Sequence, residues 1–292
     1  MNGLEISNLT IDLGGFKISD LNLEIKSGCI TGLVGRNGAG KTTLLKTIMR
    51  QLEPVTGRIL YNGMKFKDHE VEILNSIACV FDTPHFASSS RPKNLLKYYK
   101  AAYKNFDEEL FHTLMAKFNL PESQSIGKYS YGMQKKCNLI FGLCQNPDIL
   151  LLDEPTSGID PYDRKEVVTL VQEFMMNEKH TVLFSTHITE DLDKIADYIV
   201  MMENGKITMN EDKVALTEKY RLVQCAVIPD YLQDKAIGVQ KSMFGYTFLV
   251  KDIEVSGGEG LLVKVPTVEE MFVHLIGTGD LGGDNQSAKR GK

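Results

Sequence analysis

The chain has 292 residues, of which 42% are hydrophobic and 24% are charged. These proportions are typical of a globular protein with a sizeable core. The length predicts about two domains, or one large α/β domain with an appendage. The formal net charge is −5, which argues against a strongly basic nucleic-acid-binding protein. We therefore expect no nucleic acid among its partners.

The sequence shows no sign of secretion or of membrane insertion. Its first residues, Met1 to Glu5, lack the basic segment and the apolar run of a secretory signal. No apolar run approaches the roughly 20 residues that are needed to span a bilayer. The five cysteines are scattered and have no C-x-x-C spacing, which favours reduced thiols. We therefore expect a soluble, cytoplasmic protein.

The first quarter of the chain is rich in predicted strands. Alternating apolar residues predict two half-buried strands joined by a turn at Gly14-Gly15, and Asn62-Gly63 between two short runs is typical of a β-hairpin. The other elements predicted in this part are a buried strand over 29–34, a helix over 43–49 and a strand over 77–81.

The middle of the chain changes from strands to helices and back. From about 84 to 146 one helical pattern follows another, which predicts a mostly helical insert between two halves of a sheet. Strands and helices then alternate, which predicts βαβ units and a mainly parallel sheet. The elements predicted there are strands over 148–152, 181–185 and 198–202 and helices over 164–176 and 190–195.

The pattern changes again after about residue 218. Short strands are predicted over 222–228, 246–250 and 261–265, and a last helix begins at Thr267, where Glu270 completes a capping box. These elements predict a small α+β appendage over 219–276. The remaining residues, 277–292, are polar and rich in glycine, which predicts a disordered tail.

A complete phosphate-binding loop of the form G-x-x-x-x-G-K-[ST] follows the strand over 29–34. Successive backbone N–H groups of such a loop point at phosphate oxygens, and the next helix adds its positive N-terminal end. Lys41 would reach the β- and γ-phosphates, and Thr42 would supply a hydroxyl to Mg²⁺. The sequence therefore predicts ATP with Mg²⁺, held by Gly35, Arg36, Asn37, Gly38, Ala39, Gly40, Lys41 and Thr42.

Two carboxylates end the apolar strand over 148–152, at the edge where open α/β sheets bind ligands. Asp153 suits a water-mediated hold on Mg²⁺, and Glu154 suits a general base that polarises the attacking water. His187 ends a later strand and can contact the γ-phosphate there. Alone, these residues could be a solvated strand end and a structural histidine; the phosphate loop favours the catalytic interpretation.

A turn at Ser130–Met133 leads into a predicted helix with an apolar face. The hydroxyl of Ser130 and the N–H of Gly132 at the N-terminus of that helix would form a second anion site. The phosphates of one nucleotide cannot easily face both anion sites of one compact subunit. We therefore expect the second site to complete the ATP site of a neighbouring subunit.

With these motifs in this order, residues 2–218 resemble the ATP-binding subunits of ABC transporters. The resemblance implies that Gly35 to Thr43 form the Walker A loop, which adds Thr43 to the nucleotide-binding residues and makes Lys41 catalytic. Asp153-Glu154 would be Walker B with the catalytic glutamate. Residues 157–160, ending in Asp160, would be the D-loop, and His187 the switch histidine.

The same resemblance implies an organisation and an assembly. Residues 1–218 would form the ATPase domain, an α/β P-loop NTPase core with an N-terminal antiparallel subdomain and the helical subdomain at about 84–146. Two ATPase subunits, identical or different, are expected to close head-to-tail. Each ATP would lie between the Walker A loop of one subunit and the signature of the other, which is the stretch Tyr129–Met133 here.

Three features depart from the family pattern. Tyr129, Tyr131 and Met133 stand where the signature favours Leu, Gly and Gln, although Ser130 and Gly132 remain. These two are the residues expected to contact phosphate, so the signature is a variant rather than a loss.

The other two departures concern the metal ion and the adenine ring of the nucleotide. Asp82 stands where the family has the glutamine of the Q-loop; a carboxylate can contact Mg²⁺ or its water but cannot donate a hydrogen bond as an amide does. Leu13 stands near the position of the usual adenine-stacking aromatic residue, and Phe16 is the nearby ring.

The end of the predicted appendage, Pro266–Phe272, resembles an ending common in ATPases of ABC-2-type exporters, which work with separately encoded membrane subunits. It could also be just a capped helix that packs the appendage. The resemblance implies an ATP-hydrolysing exporter subunit, held on the inner face of the cell membrane by transmembrane permease subunits. The segment 82–91, with Pro84, His85 and Phe86, is either the permease docking surface or an ordinary loop.

Two alternatives remain open. The first is a soluble ABC-family ATPase that is not coupled to transport, which co-purification with a multi-spanning membrane protein would exclude. The second is a nucleotide-sensing regulatory module without turnover, which a phosphate-release assay would exclude. The complete set of Glu154 and His187 favours an enzyme over the second alternative.

Overall fold

The computed structural model describes residues 3–83, 85–251, 255 and 260–276. The predicted disordered tail over 277–292 and Pro84 of the predicted docking segment lie outside the described residues. Within the described ranges, no helix combines the length and the apolar character that crossing a membrane requires.

The described residues form fourteen strands and ten α-helices. The strands are β1 (Leu4–Asp12), β2 (Lys17–Ile25), β3 (Ile30–Val34), β4 (Thr56–Tyr61), β5 (Met64–Lys65), β6 (Ile77–Val80), β7 (Ile149–Asp153), β8 (Thr181–Thr186), β9 (Tyr198–Glu203), β10 (Lys206–Asp212), β11 (Tyr220–Cys225), β12 (Ile237–Ser242), β13 (Gly245–Lys251) and β14 (Leu261–Lys264). The helices are α1 (Lys41–Ile48), α2 (Glu70–Ser76), α3 (Pro92–Ala102), α4 (Glu108–Lys117), α5 (Tyr131–Cys144), α6 (Pro161–Phe174), α7 (Thr189–Ile195), α8 (Lys213–Lys219), α9 (Asp230–Gln233) and α10 (Val268–Leu275).

A six-stranded sheet with the order β10-β9-β3-β8-β7-β6 lies at the centre. Its pairs are parallel except for the β9–β10 hairpin, so the predicted mainly parallel sheet is confirmed. In a parallel sheet the carboxyl ends of neighbouring strands meet at one edge. The register places Val34 beside Thr186 and Asp153 beside Ser185, which brings the ends of β3, β8 and β7 together.

The two faces of this sheet bury different residues of the same strand, because successive side chains point to opposite sides. In β7, Leu150 and Leu152 pack with the helices α5 and α6, whereas Ile149 and Leu151 pack with α1 and the antiparallel sheet. A strand that is buried on both faces reads as a continuous apolar run. This is why the sequence could predict β7 without any alternation.

The second sheet is antiparallel, with the order β2-β1-β4-β5, as the alternating N-terminal residues predicted. The hairpin predicted at Asn62-Gly63 is confirmed by the pairing of β4 with β5. Both turn residues have positive φ, 49° and 79°, which is the backbone that a two-residue type I′ turn requires and that Asn-Gly adopts most easily.

The connection from β6 to β7 contains α3, α4 and α5 in the described residues, in agreement with the predicted helical insert. Its centre is aromatic: the ring centroid of Phe141 lies 4.5 Å from that of Tyr99 and 5.0 Å from that of Phe111. Offset and tilted ring pairs of this kind add stability beyond the area that they bury. The cluster fixes α5, which begins at the Ser130–Met133 turn.

The C-terminal sheet has the order β12-β13-β11-β14, and α10 follows it. The predicted capping box is confirmed, since Thr267 Oγ1 accepts from the N–H of Glu270 and Glu270 Oε2 accepts from the N–H of Thr267. The N–H of Val268 also donates to Asp193 Oδ1 of α7 at 2.9 Å. Helix α10 therefore attaches the last sheet to the helix that follows His187.

The short elements were harder to predict. The sequence analysis missed α2, α8 and α9, each of which has seven residues or fewer, and the mostly exposed strand β12. Helices this short are marginal by themselves and exist because of tertiary packing. Their few residues contain too few turns to establish a helical period.

We expect Thr267→Ala to lower the free energy of unfolding by about 1 kcal/mol, because the substitution removes the N-cap of α10. Denaturant unfolding followed by circular dichroism measures this. Thr113→Ala is the matched control: Thr113 is exposed inside α4 and its hydroxyl bonds to Glu109 O within the helix. The same chemical change there should alter stability by less than about 0.5 kcal/mol, and equal losses at both positions would contradict the capping role.

Candidate functional site

The carboxyl edge of the central sheet contains a cleft with a volume of about 440 Å³. The loop after β3 and the start of α1 form one wall, and the ends of β6 and β7 contribute Asp82 and Glu154. The structure thus brings together most of the predicted nucleotide-binding residues. The lining residues are Leu13, Phe16, Arg36, Asn37, Gly38, Ala39, Gly40, Lys41, Thr42, Thr43, Asp82 and Glu154.

Two of the glycines in the loop are required for different reasons. Gly40 has φ of 110°, and a Cβ there would lie 2.7 Å from the ring of Phe16. Gly35 has an ordinary φ, but a Cβ there would lie 2.5 Å from Met202 O. No side chain caps α1 at Gly40, so the first N–H groups of the helix face the cleft region where an anion would bind.

Lys41 is nearly buried, with 6% of its side chain exposed. Its Nζ donates to Gly35 O at 2.6 Å and lies 3.2 Å from Glu154 Oε1. A buried ammonium is costly without partners; here Gly35 begins the loop that forms one wall of the cleft, and Glu154 lines the cleft itself. The lysine is therefore held in place where the predicted phosphates would arrive.

Asp153 and Thr42 form a direct pair, in which Thr42 Oγ1 donates to Asp153 Oδ2 at 2.8 Å. Ser185 Oγ donates to the other carboxylate oxygen at 3.2 Å. Burial raises the pKa of Asp153, and the two hydroxyl donors partly offset that rise. In the described part of the chain, no group of three or more His, Cys, Asp or Glu side chains is placed to hold a metal ion.

A hydroxyl and a carboxylate oxygen nevertheless fit Mg²⁺. This cation prefers hard oxygen ligands and is usually bound through one or two carboxylates together with substrate phosphates. Thr42 and Asp153 offer such oxygens beside the phosphate loop. The donor set suits a metal that arrives with a nucleotide.

Glu154 stands in a left-handed backbone conformation, with φ of 48°. This conformation is uncommon for residues other than glycine and is found where the surrounding structure holds it. The N–H of Glu154 donates to Ser185 O at 2.8 Å. The carboxylates of the two successive acids have different partners: Thr42 and Ser185 for Asp153, and Lys41 and His187 for Glu154.

The carboxylate of Glu154 links Lys41 to His187. Its Oε1 pairs with Lys41, and its Oε2 accepts hydrogen bonds from His187 Nδ1 at 2.8 Å and from Thr186 Oγ1 at 3.3 Å. The side chain of His187 is 43% exposed. Lys41, Glu154 and His187, which were all predicted from the sequence, thus form one chain of polar contacts at the sheet edge.

The predicted second anion site lies elsewhere. Neither Ser130 nor Gly132 lines the cleft. Ser130 is exposed and caps α5, because its Oγ accepts from the N–H of Met133 at 3.2 Å. A Cβ at Gly132 would lie 2.2 Å from Asp163 Oδ2, so the close approach of that carboxylate requires glycine.

Asp160 is also outside the cleft lining. It is the N-cap of α6, where its Oδ1 accepts from the N–H groups of Tyr162 and Asp163 at 2.9 and 3.0 Å. These bonds favour the charged form, and the bond from Asp163 is the main cause that lowers the pKa of Asp160.

Asp82 lines the cleft, but its Oδ1 accepts a hydrogen bond from Lys135 Nζ at 2.6 Å. The sequence analysis missed Lys135. A signal was present, since Lys135 stands one turn of helix before Leu139 on the predicted apolar face of α5. A lysine at such a position either pairs its ammonium group with an acceptor or extends that group into solvent.

Comparisons with known proteins agree with this geometry. A family model described as ABC transporter matches residues 18–157. The chain is similar to the ABC transporter ATP-binding protein YtrB of Bacillus subtilis (strain 168), with 31% identity over 228 residues and coverage of 78% of each chain. It is also similar to the bacitracin transport ATP-binding protein BcrA of Bacillus licheniformis, with 28% identity over an alignment of 310 residues that covers 96% of this chain and 99% of that one.

A solved structure with the same fold is a dimeric ATP-binding cassette in a post-hydrolysis state with bound ADP and Pi. It has a TM-score of 0.63 and 21% identity, and the match covers 72% of this chain and 98% of that one. At this identity the likeness shows the fold, which is the predicted α/β P-loop core.

We expect Lys41→Met to weaken the binding of ATP about 10- to 100-fold, because a charged donor to phosphate is lost. Equilibrium titration with a fluorescent ATP analogue measures this. Lys46→Met is the matched control, since Lys46 lies in the same helix but does not line the cleft. An unchanged dissociation constant for the Lys41 variant would contradict the assignment.

Proposed function

The chain belongs to the family of ABC transporter ATP-binding proteins, and we propose that it is the ATP-hydrolysing subunit of an ABC-type exporter. The observation that carries the proposal is the Glu154 carboxylate, held between Lys41 and His187 at the border of the phosphate loop. This arrangement would supply a phosphate ligand and a base that line the cleft, with an orienting group in contact with the base.

We propose that the triphosphate binds along residues 35–43, with its charge facing the N-terminus of α1 and Lys41. Phe16 packs over Gly40 and is the ring available to the adenine. Thr42 and Asp153 would hold Mg²⁺, which when bound would neutralise charge on the phosphate oxygens. The existing bond between these two side chains keeps both oxygens at the same place.

Glu154 is the proposed general base. Its carboxylate is paired with Lys41; a phosphate bound to that lysine would compete for it and would leave Oε1 to accept a proton from water. His187 holds Oε2 and fixes the orientation of the carboxylate. We propose that the same ring contacts the γ-phosphate once ATP is bound.

We further propose that the working unit is a head-to-tail dimer, of identical or different ATPase subunits. Ser130 is exposed at the N-terminus of α5 and outside the cleft, which leaves its hydroxyl available to the phosphates held by another subunit. Gly132, two residues further on, is buried in this single subunit. Asp160, which is exposed beside them in the D-loop, would lie at the same interface. The dimeric ATP-binding cassette with ADP and Pi shares this fold, which supports the proposal.

Coupling to transport is proposed from the relatives, one of which is named as a bacitracin transport protein. Separate transmembrane permease subunits would hold this chain at the inner face of the membrane. The segment 82–91 remains the proposed docking surface, with one change. Phe86 packs its ring against Phe141, 5.2 Å between centroids, so the exposed contacts would come from His85 and residues 87–89.

The proposed functions divide the chain at about residue 218, between the two N-terminal sheets and the C-terminal sheet. Residues 1–218 would hydrolyse ATP, with the helical subdomain at about 84–146 carrying the signature, and residues 219–276 would form the accessory domain. Helix α10 contacts α7 through Asp193, and α7 begins two residues after His187. This contact would let the accessory domain follow movements of the switch histidine.

We expect Glu154→Gln to reduce phosphate release by at least about 100-fold while ATP binding persists, because the amide cannot accept the proton. The variant should accumulate as an ATP-bound dimer in size-exclusion chromatography with light scattering. Glu203→Gln, at the end of β9 and outside the cleft lining, is the control for the chemical change. Wild-type turnover in Glu154→Gln would refute the base.

A mixing experiment tests whether one site is shared by two subunits. Ser130→Asp keeps an N-cap acceptor for α5 but puts negative charge where the partner's phosphate is expected, and Lys41→Met disables the other half. Each variant alone should have little activity. In an equal mixture, about half of the dimers should contain one copy of each variant. Each such dimer has one intact site out of two, so turnover should return to about a quarter of wild type. An inactive mixture of folded proteins would contradict a shared site.

A further inference from the structure

Lys135 joins two parts of the site that are far apart in the sequence. Its Nζ donates to Asp82 Oδ1 at 2.6 Å and to Glu154 O at 2.7 Å. The three residues belong to α5, the end of β6 and the end of β7. The side chain of Lys135 is only 3% exposed, whereas that of Asp82 is 45% exposed. A buried ammonium therefore depends on these two oxygen partners.

The bond to Glu154 O supports the backbone turn that aims the proposed base. Glu154 has φ of 48°, a conformation that persists only when neighbours hold it. Its N–H donates to Ser185 O. Its C=O accepts the shorter of two hydrogen bonds, at 2.7 Å, from Lys135 Nζ and the longer, at 3.2 Å, from the N–H of Ser157. Loss of the Lys135 bond would leave the carbonyl with only the longer bond from Ser157, which would let the carboxylate swing relative to Lys41 and His187.

Tyr131 covers this arrangement from the side of the signature turn. Lys135 Nζ lies 5.6 Å from the centre of the Tyr131 ring, within reach of a cation–π contact. A Cβ at Gly158 would lie 3.0 Å from Tyr131 Cε1, so the ring also packs on the segment that follows Glu154. Asp82 and Tyr131 are both departures from the family pattern, and both contact the same lysine.

We propose that Lys135 is a positioning residue for ATP hydrolysis, held by Asp82, and that it sets the backbone of Glu154. Asp82 then serves the lysine and not Mg²⁺, in contrast to its assignment from the sequence alone. The inference rests on the proposed role of Glu154 as the base. It joins the β6 end, the signature helix and the catalytic turn through one side chain.

The test uses the full chain with Lys135→Gln and Asp82→Asn made separately and together. A misplaced base costs turnover and leaves binding intact, so kcat should fall roughly tenfold or more for each single variant. The KM for ATP and the Mg²⁺ concentration for half-maximal activity should stay within about twofold of wild type. The double variant should be no slower than Lys135→Gln, because the two side chains act as one unit.

Two further variants separate positioning from general loosening. Lys135→Arg keeps the charge and should recover part of the kcat that Lys135→Gln loses. Lys213→Gln also removes a lysine that donates to a main-chain carbonyl, that of Asp193, but outside the cleft lining, and kcat should stay near that of wild type. Thermal unfolding of every variant establishes which variants are folded at the assay temperature. If Lys135→Gln is not folded, Asp82→Asn still tests the inference, because the Asp82 side chain is half-exposed and its replacement disturbs the core less.

The outcomes distinguish the possible failures. A raised Mg²⁺ requirement in Asp82→Asn but not in Lys135→Gln would make Asp82 a metal ligand and overturn the inference. Wild-type kcat in folded Lys135→Gln, together with an inactive Glu154→Gln, would overturn the inference and leave the proposed function standing. Full turnover in Glu154→Gln would instead contradict the assignment of Glu154 as the general base, on which the proposed function depends.

Discussion

The parallel pairing of β3, β8 and β7 is the constraint on which the site depends. Parallel strands end at the same edge of a sheet, and here the register sets Val34 beside Thr186 and Asp153 beside Ser185. The residues that follow each strand, the phosphate loop, His187 and Glu154, therefore meet although more than a hundred residues separate the first from the last. A slip of one residue would move every one of these side chains to the wrong face.

Charge is arranged around this edge in short, closed sets. Lys41 donates to Gly35 O and pairs with the carboxylate of Glu154. Lys135 pairs with the carboxylate of Asp82 and donates to Glu154 O. A buried ammonium without such partners would destabilise the fold. The burial of each lysine therefore favours the arrangement in which its oxygen partners stay in contact with it. Both sets include Glu154, once through its carboxylate and once through its backbone carbonyl. The turn at Glu154 is thus held by electrostatics from two directions.

The same turn is connected to distant parts of the chain. Lys135 belongs to α5, whose aromatic surroundings fix the helical part. His187 precedes α7, to which α10 is attached through Asp193. Few contacts therefore separate either part from Glu154 or His187. Packed elements of this kind shift between discrete arrangements and do not deform continuously.

Local patterns determined most of the elements and the main motifs. The apolar runs of β3, β7 and β8, the Asn62-Gly63 turn and the Thr267 capping box depend on neighbouring residues, so they could be predicted from the sequence. Only the tertiary structure decided that Asp82 pairs with Lys135, which is 53 positions away, and that Val268 is bonded to Asp193, 75 positions away. Such partners are chosen by where the packed sheet and helices bring them, and no local period records that choice. The positive φ of Glu154 was likewise set by its long-range partners, because the residue itself does not favour it.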